Sequence, residues 1–178
     1  MNNKTATIVP SPRQTAQDRY NTARSSLILL ILLTVVNLVL YVIEADRMLL
    51  FSATVPYFAV ALGISLNNII ALVICSGVAA LTLISYLICW IASKKNNVWL
   101  IVALVLFVID TLGLVGICLI NGEITMGIPN FVIHIWIIVE LVIGVVNGRK
   151  LKRFPEYADV EEESVSETAE SAENVSAE

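Results

Sequence analysis

The chain has 178 residues, 57% of them hydrophobic and 15% charged, with a net charge of −4 and a mean hydropathy of +0.82. Those values lie far outside the soluble globular range. They leave an integral membrane protein of all-α class and offer nothing for nucleic acid to bind. The three cysteines, Cys75, Cys89 and Cys118, lie inside apolar runs without CxxC spacing, so neither a disulfide framework nor a zinc site is indicated.

Residues 1–10 read as disordered, and "SPRQ" then reads as a helix start, with Ser11 as cap, Pro12 in the first turn and Gln14 reaching back. The spacing predicts one helix from Pro12 to Ile43. Its polar lead aligns Arg13, Gln17, Tyr20 and Arg24 in a stripe that suits anionic headgroups or an ordinary solvated face. The apolar part, Leu27 to Ile43, is extended by Ser25 and Ser26 and is too long for a signal-peptide core. Further apolar runs occupy Ile69 to Ala92, Val98 to Ile120 and Phe131 to Val146, the last started by Pro129 in a first turn. A helix needs about 20 residues to cross roughly 30 Å of hydrocarbon, which makes these four spans.

Between the first two spans lies "MLLFSATVPYFAVALG", Met48 to Gly63, nearly charge-free but carrying Pro56. Ten of the eleven Lys and Arg residues sit before the first span, at Lys94 and Lys95, or from Arg149 to Arg153; only Arg47 lies elsewhere. A four-span chain with both termini cytoplasmic keeps all ten inside, whereas a crossing at Met48–Gly63 would invert Lys94, Lys95 and the last cluster. The segment is therefore an outer interfacial helix or a re-entrant one, and Phe51, Tyr57 and Phe58 favour the interfacial form.

Two stretches, "RYNTARSSLILLILLTVVNLVL" and "LLFSATVPYFAVALG", together cover about the first third of the chain. They resemble a family of small, uncharacterised bacterial four-span membrane proteins with a "T..N" pair in the first span and an "LLFSA..PY" segment after it. The resemblance implies a bacterial cell membrane and this architecture, and brings no activity or site residue with it.

After the basic cluster, residues from Glu156 onward hold nine carboxylates and no Lys or Arg, the composition of a disordered acidic tail. The chain thus divides into a leader at 1–24, a four-helix bundle at 25–147, and a basic cluster with acidic tail at 148–178. No repeat or nucleotide-binding loop appears, and no cofactor is indicated.

Four polar groups fall inside the spans: Asn37, Asp110, His134 and Glu140. A carboxylate at bilayer centre costs about 2.5 to 3.5 kcal/mol, so both acids should point inward. Counted from the span ends, Asp110 and Glu140 reach similar depth, a placement in which they share a proton or bracket an ion. Trp136, Glu140, Gly144 and Asn147 form one stripe, and Cys75, Ala79, Thr82 and Tyr86 another. Asn37 and Thr34 read as interhelical hydrogen-bonding residues, and His134 as a packing or interface group, for HExxH spacing is absent. The reading that results is a non-catalytic subunit or regulatory module, a homo-oligomer or part of a larger membrane complex. The alternative is a small proton- or ion-coupled carrier or channel using the acids; no nucleophile and base stand in an enzyme's spacing.

Overall fold

The structure is a computed structural model describing residues 11–43, 52–121 and 124–153, without the side chains at 121 and 124–127. The expectations for the leader before residue 11, for Arg47, for Met48 to Phe51 and for the acidic tail lie outside the described residues. Within them the chain forms α1 (Pro12–Val42), α2 (Thr54–Ser65), α3 (Ile69–Ala92), α4 (Val98–Asn121) and α5 (Ile124–Leu151). Four of these are long and apolar enough to cross a membrane, and α2, at 12 residues, is not. The protein is a multi-pass membrane protein of all-α class.

Helix α1 begins at the expected capping box: Ser11 Oγ accepts from the Gln14 N–H at 3.2 Å, and Gln14 Oε1 accepts from the Ser11 N–H at 3.0 Å. Its buried residues Ala16, Tyr20, Ala23, Leu27 and Leu30 recur every three or four positions, which turns one face toward α5. The polar lead is not free to meet lipid along its whole stripe. Tyr20 donates its hydroxyl hydrogen to the Ser93 carbonyl at 2.6 Å, and Arg24 donates to Ser93 Oγ at 2.9 Å and to the Trp90 carbonyl at 3.4 Å. Unpaired carbonyls at the end of α3 draw these side chains inward.

The α3–α4 link and the end of α5 meet at the same end of the bundle. Asn97 Nδ2 donates to the Val145 carbonyl at 3.0 Å, and its Oδ1 faces Gly148, where a Cβ would stand only 2.5 Å away. Gly144 serves the same close approach one turn earlier, since its Cβ would overlap that of Ala23 and come within 2.9 Å of Leu100 Cδ2. Between these helices the core is filled by Leu27, Leu30, Leu100, Phe107, Leu141 and Tyr86. On α3, Ala79 and Tyr86 of the expected face are buried.

Helix α5 starts earlier than the sequence implies. Pro129 is its sixth residue and not part of a first turn, because the chain is already helical from Ile124. At the far end from Ser93, α2 turns into α3 through Asn67, which takes a φ of 46°, and Asn68 Oδ1 caps α3 by accepting from the Ile70 N–H at 2.9 Å.

Gly144→Ala should therefore lower the thermal midpoint in detergent, with overpacking of about 1–3 kcal/mol, while Gly77→Ala, which meets open space, should leave it unchanged or slightly raised. Equal midpoints for the two variants would show that the α1–α5 contact is looser than this geometry.

Candidate functional site

A helix start leaves four backbone N–H groups without intrahelical acceptors. For α2 these belong to Ala53, Thr54, Val55 and position 56, and its cap residue, Ala53, has no side-chain acceptor. The neighbouring helices supply them. Thr34 Oγ1 of α1 accepts from the Ala53 N–H at 2.8 Å, while Asp110 of α4 accepts from Thr54 through Oδ2 at 2.8 Å and from Val55 through Oδ1 at 2.7 Å. The fourth position is Pro56, which has no N–H to satisfy.

Asp110 lies near the middle of α4 and is 2% exposed, so α2 starts deep inside the bundle. Twelve residues carry it about 18 Å toward the end where α3 begins. This half-helix is re-entrant, and the flat interfacial placement favoured by Tyr57 and Phe58 does not occur. The reason is that Asp110 and Thr34 offer the acceptors a buried helix start requires, and hydrocarbon offers none. Tyr57 instead packs edge-on against Tyr41 of α1, ring centroids 5.1 Å apart.

Around this anchor the polar groups connect. Asn37 donates to Ser52 Oγ at 2.6 Å just before α2. Thr34 passes its own proton to the Leu30 carbonyl at 2.7 Å, which leaves its oxygen free to accept from Ala53. Thr111 donates to the Phe107 carbonyl at 2.8 Å, and its oxygen stands 3.0 Å from His134 Nδ1. His134 Nε2 then faces Thr54 Oγ1 at 3.5 Å, and the Thr54 hydroxyl also donates to Asp110. The imidazole is stacked on Phe107, centroids 4.8 Å apart, and is 2% exposed. From α3, the buried Tyr86 closes the site with a hydroxyl that has no hydrogen-bond partner among the described residues.

Asp110, His134 and Asn37 are thus brought together, and Glu140 is not. His134 shares the level of Asp110, and Glu140 lies six residues further along α5, about 9 Å toward the basic end. Counting from the outer span ends placed the two acids at one depth because it missed that α5 begins at Ile124. Glu140 instead lines a shallow groove between α1 and α5 with Ser26, Leu29, Leu33 and Trp136, and among the described residues it forms no hydrogen bond or ion pair. Sequence reasoning missed Ser52, Thr54 and Thr111, and it placed Tyr86 on an inward stripe without linking it to Asp110. The pattern "SATVP" carried the only signal, a helix start with a proline in its first turn and no acceptor at the cap.

Chemically the arrangement anchors a helix and links three side chains, His134, Thr54 and Asp110, through one hydroxyl. Among the described residues no three of His, Cys, Asp and Glu gather as metal ligands would. No family model, curated protein or solved structure matches the chain. Fold and site define a class: a polytopic helical membrane protein of four spans with one half-helix pinned inside the bundle.

Replacing Asp110 by Ala orphans two buried N–H groups, at about 1–3 kcal/mol each, and should lower the thermal midpoint strongly. Asp110→Asn keeps one acceptor oxygen and should insert, fold and fall between the two. Amide exchange at Thr54 and Val55 reports the effect directly: it should accelerate most in Asp110→Ala, and unchanged exchange there would remove Asp110 as the anchor of α2.

Proposed function

We propose that the protein is a non-catalytic membrane module, a subunit or regulator of the bacterial cell membrane that assembles through its α1–α5 face, with both termini cytoplasmic. The observation that carries this reading is Glu140. It stands at hydrocarbon depth beside an apolar groove, without a hydrogen-bond or ion-pair partner among the described residues. A carboxylate facing lipid costs about 2.5 to 3.5 kcal/mol, a penalty relieved when a neighbouring helix brings a donor to it. Asp110 supports the same reading from inside, because its oxygens are committed to the backbone of α2. The orientation rests on charge: Arg24, Lys94, Lys95 and Lys152 collect at one end of the bundle, and such clusters are retained in the cytoplasm.

A proton- or ion-coupled carrier is the second reading, and the observation favouring it is the half-helix itself. Transporters commonly aim the N-terminus of a broken helix at a midplane site, and here that end meets Asp110, Thr54 and His134.

Purified in mild detergent, the protein should form an assembly heavier than its 19.5 kDa protomer, and Glu140→Leu should dissolve that assembly with helicity retained. A monomer that dissipates a pH gradient in vesicles, and ceases to do so as Asp110→Asn, would replace the module with the carrier. For orientation, Lys95→Cys in a cysteine-free background should resist a membrane-impermeant thiol reagent applied to intact cells; labelling from outside would invert the topology.

A further inference from the structure

The basic end of the bundle holds a cavity of about 220 Å³ that the module reading does not use. It opens between the polar lead of α1, the Ser93–Asn97 link and the last turn of α5, and Lys94, Lys95 and Lys152 stand on its rim and walls. Among the described residues that line it there is no carboxylate. Lys152 is partly oriented, donating to Asn96 Oδ1 at 3.4 Å, and the same oxygen accepts from the Val98 N–H at 3.2 Å at the start of α4. Three cations lining a small polar hollow repel one another, and the positive end of α4 adds to that potential. An anion of matching size relieves both.

The position of the cavity selects the anion. Trp90, with Arg24 at 6.0 Å and Lys94 at 5.9 Å from its ring, and Tyr20 beside it mark the level where aromatic and basic side chains meet lipid headgroups. Directly beyond that level run the apolar faces of α3 and α4, with Ile88, Ile91 and Val102 exposed, where acyl chains lie. We infer that this cavity binds the phosphate of an anionic phospholipid headgroup, held by Lys95 and Lys152 with Gln17 and Asn96 as polar neighbours. A free phosphate ion has the same recognisable chemistry but lacks the tether to the adjoining apolar surface. The acidic segment from Glu156 onward is the competing occupant within the chain, starting four residues after Lys152. The apolar neighbourhood favours lipid over a run of carboxylates.

The test uses the full chain in nanodiscs of equal phosphatidylglycerol and phosphatidylcholine, with retained lipid counted by native mass spectrometry. Phosphatidylglycerol should be retained at least tenfold over phosphatidylcholine. The double variant Lys95→Gln, Lys152→Gln should bring the ratio near one, whereas Arg149→Gln, Lys150→Gln, which removes two charges at the same end but outside the cavity, should not. Thermal midpoints of the detergent-purified protein should rise with phosphatidylglycerol and not with inorganic phosphate. Equal loss in both double variants, an unchanged ratio in the first, or equal stabilisation by inorganic phosphate would each overturn the assignment. Selectivity that emerges only after truncation at Arg153 would make the acidic tail the occupant and overturn it as well.

Discussion

Everything polar in this bundle is arranged around a single requirement: a helix that begins inside an apolar interior must find acceptors for its first four N–H groups. The chain meets it by distributing the work. Thr34 on α1 serves one group, Asp110 on α4 serves two, and Pro56 removes the fourth. Because the acceptors lie on different helices, capping α2 also fixes the separation and register of α1 and α4. An acidic side chain suits this place because its two oxygens accept from two neighbouring N–H groups at the positive end of the α2 dipole. The half-helix and its anchor are mutually dependent, since either one alone would leave a buried group unpaired.

What the sequence makes legible follows from how local each constraint is. The four spans need only a count of apolar residues, and the start of α1 needs only Ser11, Pro12 and Gln14 within one turn. The α1–α5 approach was visible as small residues on a stripe, and Gly144 meets Ala23 there. Asp110, His134 and Asn37 stood out because polar groups are rare in spans. Their partners did not, for Ser52, Thr54 and Thr111 are ordinary residues in apolar company until α2 folds back. The aromatic residues of α2 misdirected its placement: Tyr57 reads as an interfacial anchor in one dimension and as a partner for Tyr41 in three. The supposed pairing of Asp110 with Glu140 failed through a depth count that took the apolar run for the helix.

The two ends of the bundle differ in kind. Where α2 turns into α3, described side chains are apolar or small amides; where α3 meets α4, the chain gathers Tyr20, Arg24, Ser93, Asn97 and Lys152 into a polar collar. That collar does structural work first, tying α1, α5 and the link together by hydrogen bonds. Its leftover cations are those that line the basic cavity. Glu140 lies between the collar and the buried anchor, belonging to neither, on the one face where α1 and α5 leave an open groove.

The module and carrier readings differ in what a moving α2 would meet. To open a path past Asp110, the half-helix must release Thr54 and Val55, and a conformational change costs nothing extra only if the second state satisfies the same groups. Near its start Thr34 already donates to Leu30 and accepts from Ala53, and His134 Nε2 faces Thr54 Oγ1 and not a backbone N–H. Tyr86 has a buried hydroxyl without a partner among the described residues, and giving its hydrogen to Asp110 would compensate the acid while leaving both α2 amides bare. A displaced α2 therefore carries two unpaired N–H groups, about 1–3 kcal/mol each, unless water enters with the motion. Asp110 is buried, and Phe107 and His134, buried with it, stack on each other. On that balance displacing α2 is costly, which is the physical ground on which the proposed module is preferred to the carrier.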